Sequence, residues 1–384
     1  MADIAAWYLR SVITTLHVSN FRSLAEDVRV DFGRFTALVG PNGSGKSSVV
    51  DALRFVADCM HMGLNGAITS RSGINGVRRW SGGHPYNLTL RLQLHLEAGP
   101  AAYEFELVGD SDEEYRIKSE AAVLTDATGG SIRFRVDRGN WIEGPDNLRP
   151  PVNRQSLALP LVGGDKRFEP LFQALQNIAI YSIFPDVLRA PQKYSPARPM
   201  ELHGANWSSV LRDQGLETWK PELVAVLGKL TGDIEDIRIE PAAGLLVVQF
   251  KHRSPNKKLK WFDAAQESDG TLRVAGIVTA LLQEPFIPVL GVEEPELTVH
   301  PGAIALLFDY LKEASKRSQI IVTTHSPELL DRVDADDVRV VERIDGITTV
   351  ARMANTQRET VRTGLLTLGE VLRTEGLQQQ PLGL

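Results

Sequence analysis

The run "GPNGSGKSS", Gly40 to Ser48, has the spacing G-x-x-x-x-G-K-[ST] of a loop that wraps a phosphate. Gly40, Gly43 and Gly45 let the backbone approach an anion closely and turn N–H groups inward, with Pro41, Asn42 and Ser44 completing the turn. Lys46 is expected to reach the outer phosphates of a nucleoside triphosphate and Ser47 to ligate Mg2+. Ser48 continues a helix whose positive end faces the anion. The motif sits where it must, after the apolar strand "FTALV" and before a helix expected from Lys46 to about Cys59. A second stretch, "IPVLGVEEPE", delivers Glu293 and Glu294 at the carboxyl end of an apolar strand, where open α/β sheets bind their ligands. Mg2+ takes few carboxylates and keeps several waters, so Glu293 suits a metal role and Glu294 the polarising of an attacking water. Side chains alternate along a strand, so neighbouring carboxylates can serve different partners. In the third stretch, "QIIVTTHSPELL", His325 ends another apolar strand where a γ-phosphate contact is needed. Ser326 is then the N-cap and Pro327 the first position of a short helix.

The elements that hold these groups are legible in outline. "ITTLHV", "DVRVDF" and "RFTALVG" read as strands. In "NLTLRLQLHLEA", Leu88, Leu90, Leu92, Leu94 and Leu96 fall on one face. "AYEFELV", "EYRIKSEAAVL" and "SIRFRV" continue that alternation as an antiparallel meander. A proline-rich, irregular region follows from about Asn147 to Pro199, holding a short helix near "LFQALQNIA" and a strand at "IAIYSIF". Helices are expected at "NWSSVLRDQ" and "ETWKPELVAVLGKL", and strands at "IEDIRIE" and "GLLVVQFK". The C-terminal third alternates helices "TLRVAGIVTALL" and "PGAIALLFDYLKEASK" with apolar strands "IPVLGVE" and "QIIVTTH". Strands without polar alternation, separated by helices, argue for a buried parallel sheet.

Composition sets bounds. The 384 residues suffice for a large core, and no apolar run approaches the eighteen or so residues of a membrane helix. One cysteine, Cys59, excludes an internal disulfide, and "MADIAAWYLR" lacks the charge and apolar length of a signal peptide, so a cytoplasmic location is expected. The net charge of −6 gives no global attraction to nucleic acid. One local basic run, "KHRSPNKKLK", reads first as a solvated hairpin tip and second as a phosphate-binding patch. "VDADDV" reads as a polar loop, because no further acidic cluster completes a metal site.

The phosphate loop, "ESDGT", "VLGVEEPE" and "IVTTHS" follow one another in the chain order of an ABC-type P-loop ATPase, and "ESDGT" resembles a divergent form of that family's signature motif. The resemblance implies that Ser268 and Gly270 contact the γ-phosphate of an ATP held by a second subunit; the physical basis is a helix N-terminus offering free N–H groups to an anion. About 220 residues separate Lys46 from Ser268. Scattered prolines and the lack of a sustained heptad run exclude the coiled coil with which chromosome-maintenance (SMC) relatives fill this interval. "ITTLHVSNFRSL", "SDGTLR", "EEPELTVHP", "THSPELLD" and "HGANWSSVL" resemble instead the RecF-like and OLD-like (overcoming lysogenization defect) ATPases within the AAA family ATPase group. By that resemblance Arg22, in "NFRS", falls where relatives approach the nucleotide, although an exposed loop arginine is an equal reading. No Q-loop glutamine stands out.

The fold expected is α/β, a P-loop NTPase with a mixed, mainly parallel core sheet, an antiparallel β lobe and a small α/β insertion. One ATPase unit, 1–384, divides into an N-terminal core part (13–82), an inserted lobe (83–260) and a C-terminal core part (261–384). Fewer than about sixty residues follow His325, so no Toprim nuclease domain is expected in this polypeptide. The resemblance implies a homodimer that sandwiches two ATP·Mg2+ and hydrolyses them as a switch in DNA repair or antiviral defence. It would act on DNA or with a separate nuclease or other effector, and without a membrane. An ATP-locked regulatory scaffold that makes no nucleic acid contact is the alternative, and a transporter ATPase subunit the third reading.

Overall fold

The computed structural model describes residues 11–111, 113–126, 129–196, 199–215 and 219–381. The first ten residues, Glu217 and Thr218 of the expected "ETWKPELVAVLGKL" helix, and the last three residues lie outside that set. Three sheets carry the chain. β1 (Val12–Ser19), β2 (Val28–Asp31), β4 (Leu88–Leu96), β5 (Gly99–Val108), β6 (Arg116–Thr125), β7 (Ser131–Asp137) and β8 (Asn140–Glu143) form an antiparallel sheet in the order β2-β1-β4-β5-β6-β7-β8. Every second residue of β4 is buried, as its leucine alternation requires. β8 was not legible in advance, and β1 and β2 join this sheet although they precede the phosphate loop.

The second sheet has the order β17-β16-β3-β15-β14-β9. It comprises β3 (Phe35–Val39), β9 (Ile178–Tyr181), β14 (Val289–Glu293), β15 (Gln319–Thr324), β16 (Val338–Ile344) and β17 (Ile347–Arg352). All adjacent pairs are parallel except β16–β17. β9 comes from the middle of the 83–260 stretch yet lies beside β14. β3 and β15 are buried at every position, which is why they read as continuous apolar runs. Their alternate side chains serve two cores. Leu38 and Ile321 face one hydrophobic cluster, Ala37, Val39, Ile320 and Val322 the other.

Helix α1 (Lys46–Thr69) fills the space between the two sheets. It runs past Cys59 and kinks at Gly63, whose φ of 74° only glycine adopts freely. Val49, Leu53, Phe55 and Met60 pack with Leu90, Leu92 and Phe105 of the antiparallel sheet and with Leu38, Val289 and Ile321 of the parallel one. Phe55 stands 5.6 Å from Phe21 and 6.3 Å from Phe105, ring centre to ring centre. Truncating it to alanine should cost about 3–5 kcal/mol. α2 (Glu169–Gln176) packs on α1 from the outside of the same cluster.

The opposite face of the parallel sheet is covered by α4 (Asp269–Leu282) and α5 (Pro301–Ala314), with α3 (Lys220–Thr231) behind them. "NWSSVLRDQ" forms one α turn, Trp207–Val210, that widens into a π turn over Leu211–Gly215. A third sheet, β10 (Gln192–Lys193), β11 (Ile234–Ala242), β12 (Leu245–Arg253) and β13 (Leu259–Asp263), packs its Ile237, Val248 and Phe250 into this cluster. The chain closes with α6 (Asn355–Arg362) and α7 (Leu368–Thr374). Among the described residues no helix is long and apolar enough to cross a membrane.

Candidate functional site

Five parallel strands put three loops at one edge: those after β3, β14 and β15. The loop after β3 carries Gly40 to Gly45 and opens α1 at Lys46. Gly43 and Gly45 have φ of 78° and 109°, so glycine is required there. A Cβ at Gly40 would collide with the Val341 carbonyl, and one at Gly45 would lie 2.5 Å from Thr348 Oγ1. The loop is clamped from outside as well. Thr348 Oγ1 donates to Ser44 O at 2.8 Å and bonds Ser23 Oγ at 3.1 Å, and Ser23 Oγ bonds Ser48 Oγ at 2.9 Å. Ser44 Oγ is buried with no hydrogen-bond partner among the described residues.

Lys46 is buried, and its Nζ donates to Gly40 O at 2.7 Å and Pro41 O at 3.1 Å, arching back over the loop. Burial lowers its pKa, while Glu294, Glu296 and Glu293 oppose that shift. Glu293 ends β14, Glu294 and Glu296 come from the loop after it, and Glu293 is hydrogen-bonded to the Ser47 side chain. Burial pushes the Glu293 pKa up and the Ser47 bond pulls it down. A hydroxyl and a half-buried carboxylate thus meet beside the phosphate loop, an oxygen pair of the kind that holds Mg2+. Among the described residues no group of three or more His, Cys, Asp or Glu could hold a metal ion. A cation at Ser47 and Glu293 would therefore complete its shell with nucleotide oxygens and water. The donor set fits the ion.

Glu294 turns out of the strand with φ of 44°, a conformation that costs a non-glycine residue about 1–3 kcal/mol. Several bonds hold it. Its N–H donates to Thr323 O at 2.9 Å, and its carbonyl accepts from Arg273 Nη2 at 2.9 Å. His325, after β15, places Nδ1 3.4 Å from Glu294 Oε1 and 4.0 Å from Glu296 Oε1. Glu296 is nearly fully buried and accepts from Thr324 Oγ1 at 2.5 Å and from the His325 N–H at 3.3 Å, while its Oε2 has no partner among the described residues. Sequence reasoning did not assign Glu296, Arg273, Ser23 or Thr348. Only Glu296 carried a signal, as the third acid of "EEPE".

The structure therefore gathers Gly40 to Ser48, Glu293, Glu294 and His325. Ser268 and Gly270 stand apart: among the described residues no hydrogen bond or ion pair joins either to the phosphate loop. Ser268 is the exposed N-cap of α4, accepting from Thr271 N at 3.1 Å. Gly270 is pressed against the Thr298 carbonyl, which a Cβ would meet at 2.7 Å. Arg22 turns to Asp51 on α1, with Nη1 2.9 Å from Oδ2, rather than to the loop. Asp51 also holds Arg54 at 2.7 Å and Arg71 at 2.9 Å. The basic run is the tip of the β12–β13 hairpin, with Lys257, Lys258 and Lys260 exposed and Lys260 Nζ 4.8 Å from the Phe262 ring centre. "VDADDV", read as a polar loop, holds a short 3-10 turn, Ala335–Asp337, that leads into β16, and its Asp336 pairs with Arg362 and Asp337 with Lys312.

Comparison with known proteins gives the family and the fold. The chain is 24% identical over 355 residues to the OLD nuclease of Thermus scotoductus, covering 86% of this chain and 62% of that protein. It is 44% identical over 159 residues to the chromosome partition protein Smc of Lactiplantibacillus plantarum, covering 38% of this chain and 13% of the other. The chain thus spans less than two thirds of either relative. Among solved structures, an Smc head bound to the C-terminal winged-helix domain of ScpA superposes with a TM-score of 0.56 at 17% identity, over 91% of this chain and 99% of that one. A Pyrococcus furiosus Smc head with an extended coiled coil, bound to the C-terminal domain of ScpA, gives 0.54 at 14%, over 92% and 99%. At those identities the likeness is one of fold. The family described as "AAA domain, putative AbiEii toxin, Type IV TA system" matches residues 35–331, most of the chain and the whole stretch from the phosphate loop to His325. This chain belongs to that family, among the ATP-binding P-loop ATPases related to the SMC, RecF and OLD proteins.

Proposed function

We propose that two copies of this chain form a head-to-tail dimer that closes on two ATP·Mg2+ and opens on hydrolysis, as a switch in DNA repair or defence against foreign DNA. One observation carries the reading: the exposed Ser268–Gly270 turn opens α4 with no bond to its own phosphate loop, while Lys46, Glu293, Glu294 and His325 converge without it. A helix mouth with free N–H groups then serves the triphosphate of a second copy.

In this arrangement the phosphate loop and Lys46 hold the β- and γ-phosphates, and Glu294 orients the attacking water. His325, steadied by Glu294 and by the buried Glu296, senses the γ-phosphate. Ser47 and Glu293 would hold magnesium, which supplies charge neutralisation on the phosphate oxygens. Catalysis is positioning and electrostatics. The family description, which names a toxin of a toxin–antitoxin system, supports the defence reading, with a separate effector such as a nuclease as part of the proposal. The exposed lysines of the β12–β13 hairpin are the candidate contact to DNA.

Ser268→Arg tests the shared site. Monomeric ATP binding should survive while ATP-dependent dimerisation and turnover are lost; normal hydrolysis would refute the trans role. Replacing Lys257, Lys258 and Lys260 with glutamine should abolish salt-dependent DNA binding. Absence of any DNA binding by the unaltered protein would turn the reading toward an ATP-locked scaffold for a protein effector.

A further inference from the structure

Arg273 lies on α4 five residues beyond Ser268 and is 4% exposed. Its guanidinium spends its hydrogen bonds on backbone carbonyls. Nη1 donates to Ile183 O at 2.7 Å, in the loop after β9. Nη2 donates to Glu294 O at 2.9 Å and Glu293 O at 3.3 Å, at the end of β14. Among the described residues no carboxylate stands within ion-pair distance of it, and Nε is buried without a partner. A buried cation hydrogen-bonded only to peptide carbonyls, with the Glu296 and Glu294 carboxylates opposing its desolvation from farther off, is a costly way to fill space, since an apolar side chain of similar volume would avoid the burial penalty. What the guanidinium provides is a fixed distance between two pieces of backbone. One is the first turns of α4, the other the left-handed Glu294 and its neighbour.

A second contact runs beside it. Gly270 lies against Thr298 O, so the mouth of α4 rests on the same loop that Arg273 grips. On the other flank Arg189 pairs with Asp269 at 2.5 Å and donates to Glu267 O at 3.4 Å, tying the turn before α4 to the chain that follows Ile183. In the shared-site reading, the carboxylate that faces a chain's own ATP and the serine that faces its neighbour's ATP are thus linked through Arg273 and the first turns of α4.

We infer that Arg273 is a positioning residue that couples the two nucleotide sites: it sets the angle of α4, and hence of Ser268, according to the placement of Glu294 in the same chain. The inference rests on the shared-site reading proposed above. It goes beyond that reading by predicting that loss of Arg273 in one chain damages the site whose phosphate loop and carboxylates belong to the other.

Mixed dimers of two differently tagged chains test it. When one chain carries Lys46→Ala, only the unaltered chain can load ATP, and that site takes its signature turn from the Lys46→Ala chain. Adding Arg273→Met to the Lys46→Ala chain leaves every residue of the loaded chain unchanged. Turnover should then fall by about tenfold to a hundredfold in kcat, the scale of an ångström-level misplacement, and dimer formation should need more ATP. ATP binding by the loaded chain alone should not change. Equal turnover with and without Arg273→Met would overturn the coupling. A control with Ser268→Arg on the Lys46→Ala chain separates the two claims: if it too leaves turnover intact, the shared site itself has failed. Where thermal melting shows that Arg273→Met does not fold, Arg273→Lys takes its place. It keeps the charge but cannot span Ile183 O and Glu294 O together, so the same comparison should show a smaller loss, and no loss again overturns the inference.

Discussion

Glu294 and His325 face each other across 3.4 Å from the ends of two neighbouring strands, β14 and β15, although thirty-one residues apart in the chain. The parallel pairing that sets Glu293 opposite Thr323 makes the meeting unavoidable. The base and the γ-phosphate sensor proposed above would then be positioned by one register.

Glu294→Gln keeps the shape of this pair and removes the charge. ATP binding should persist, hydrolysis should fall by about a hundredfold to a thousandfold, and dimer should accumulate on size exclusion. Normal turnover would remove Glu294 from the role of base.

Lys46→Met separates nucleotide binding from stability. It loses two hydrogen bonds to Gly40 and Pro41 but also the cost of burying an ammonium, so the nucleotide-free melting temperature should change little or rise. The added stabilisation by ATP should vanish. A melting curve with and without ATP measures both, and retained ATP stabilisation would be inconsistent with the role of Lys46.

Gly270→Ala places a methyl within 2.7 Å of the Thr298 carbonyl, a backbone atom that cannot rotate away. About 1–3 kcal/mol of stability should be lost to the strain. The ATP-dependent dimer should weaken more than monomer stability does, because the signature turn is what shifts. Unchanged melting and unchanged dimerisation would show that the loop yields freely.

Glu120 gives the fold a pH dependence. It is fully buried, and desolvation raises its pKa to about 7 against the pull of hydrogen bonds from the Ala158 and Leu159 N–H groups and the Tyr103 hydroxyl. A folded-state pKa raised above the unfolded one means that the native state binds the extra proton between about 4.5 and 7. Its contribution, up to about 3 kcal/mol, should be present below pH 4.5 and lost as pH rises through about 7. Glu120→Gln should lower overall stability, since an amide cannot accept all three bonds, and should flatten the slope of denaturation midpoint against pH in that window. An unchanged slope would mean that Glu120 titrates as it does in the unfolded chain.

Local chemistry and tertiary chemistry divide cleanly here. The glycines of the phosphate loop, the leucine alternation of β4 and the apolar runs of β3 and β15 each state their role within a few residues, because φ/ψ preference and side-chain period are short-range properties. Gly63 shows the limit. It kinks α1 without ending it, because the helix is buried between two sheets and packing outweighs a glycine's preference for stopping. Ser326 was legible as an N-cap for the same short-range reason, since its partner Leu329 lies one turn away.

By itself, then, the sequence determined the phosphate loop, the strand-end carboxylates and histidine, the α/β class and the helix that follows the Ser268 turn. All of these follow from residue type and spacing along one stretch of chain. Only the tertiary structure decided that β1 and β2 join β4 in the antiparallel sheet, that Glu296 backs His325, that Arg22 turns to Asp51, and that Arg273 ties α4 to Glu294. Each of those depends on which distant backbone a strand pairs with, and on the direction in which a buried side chain then finds its polar partner.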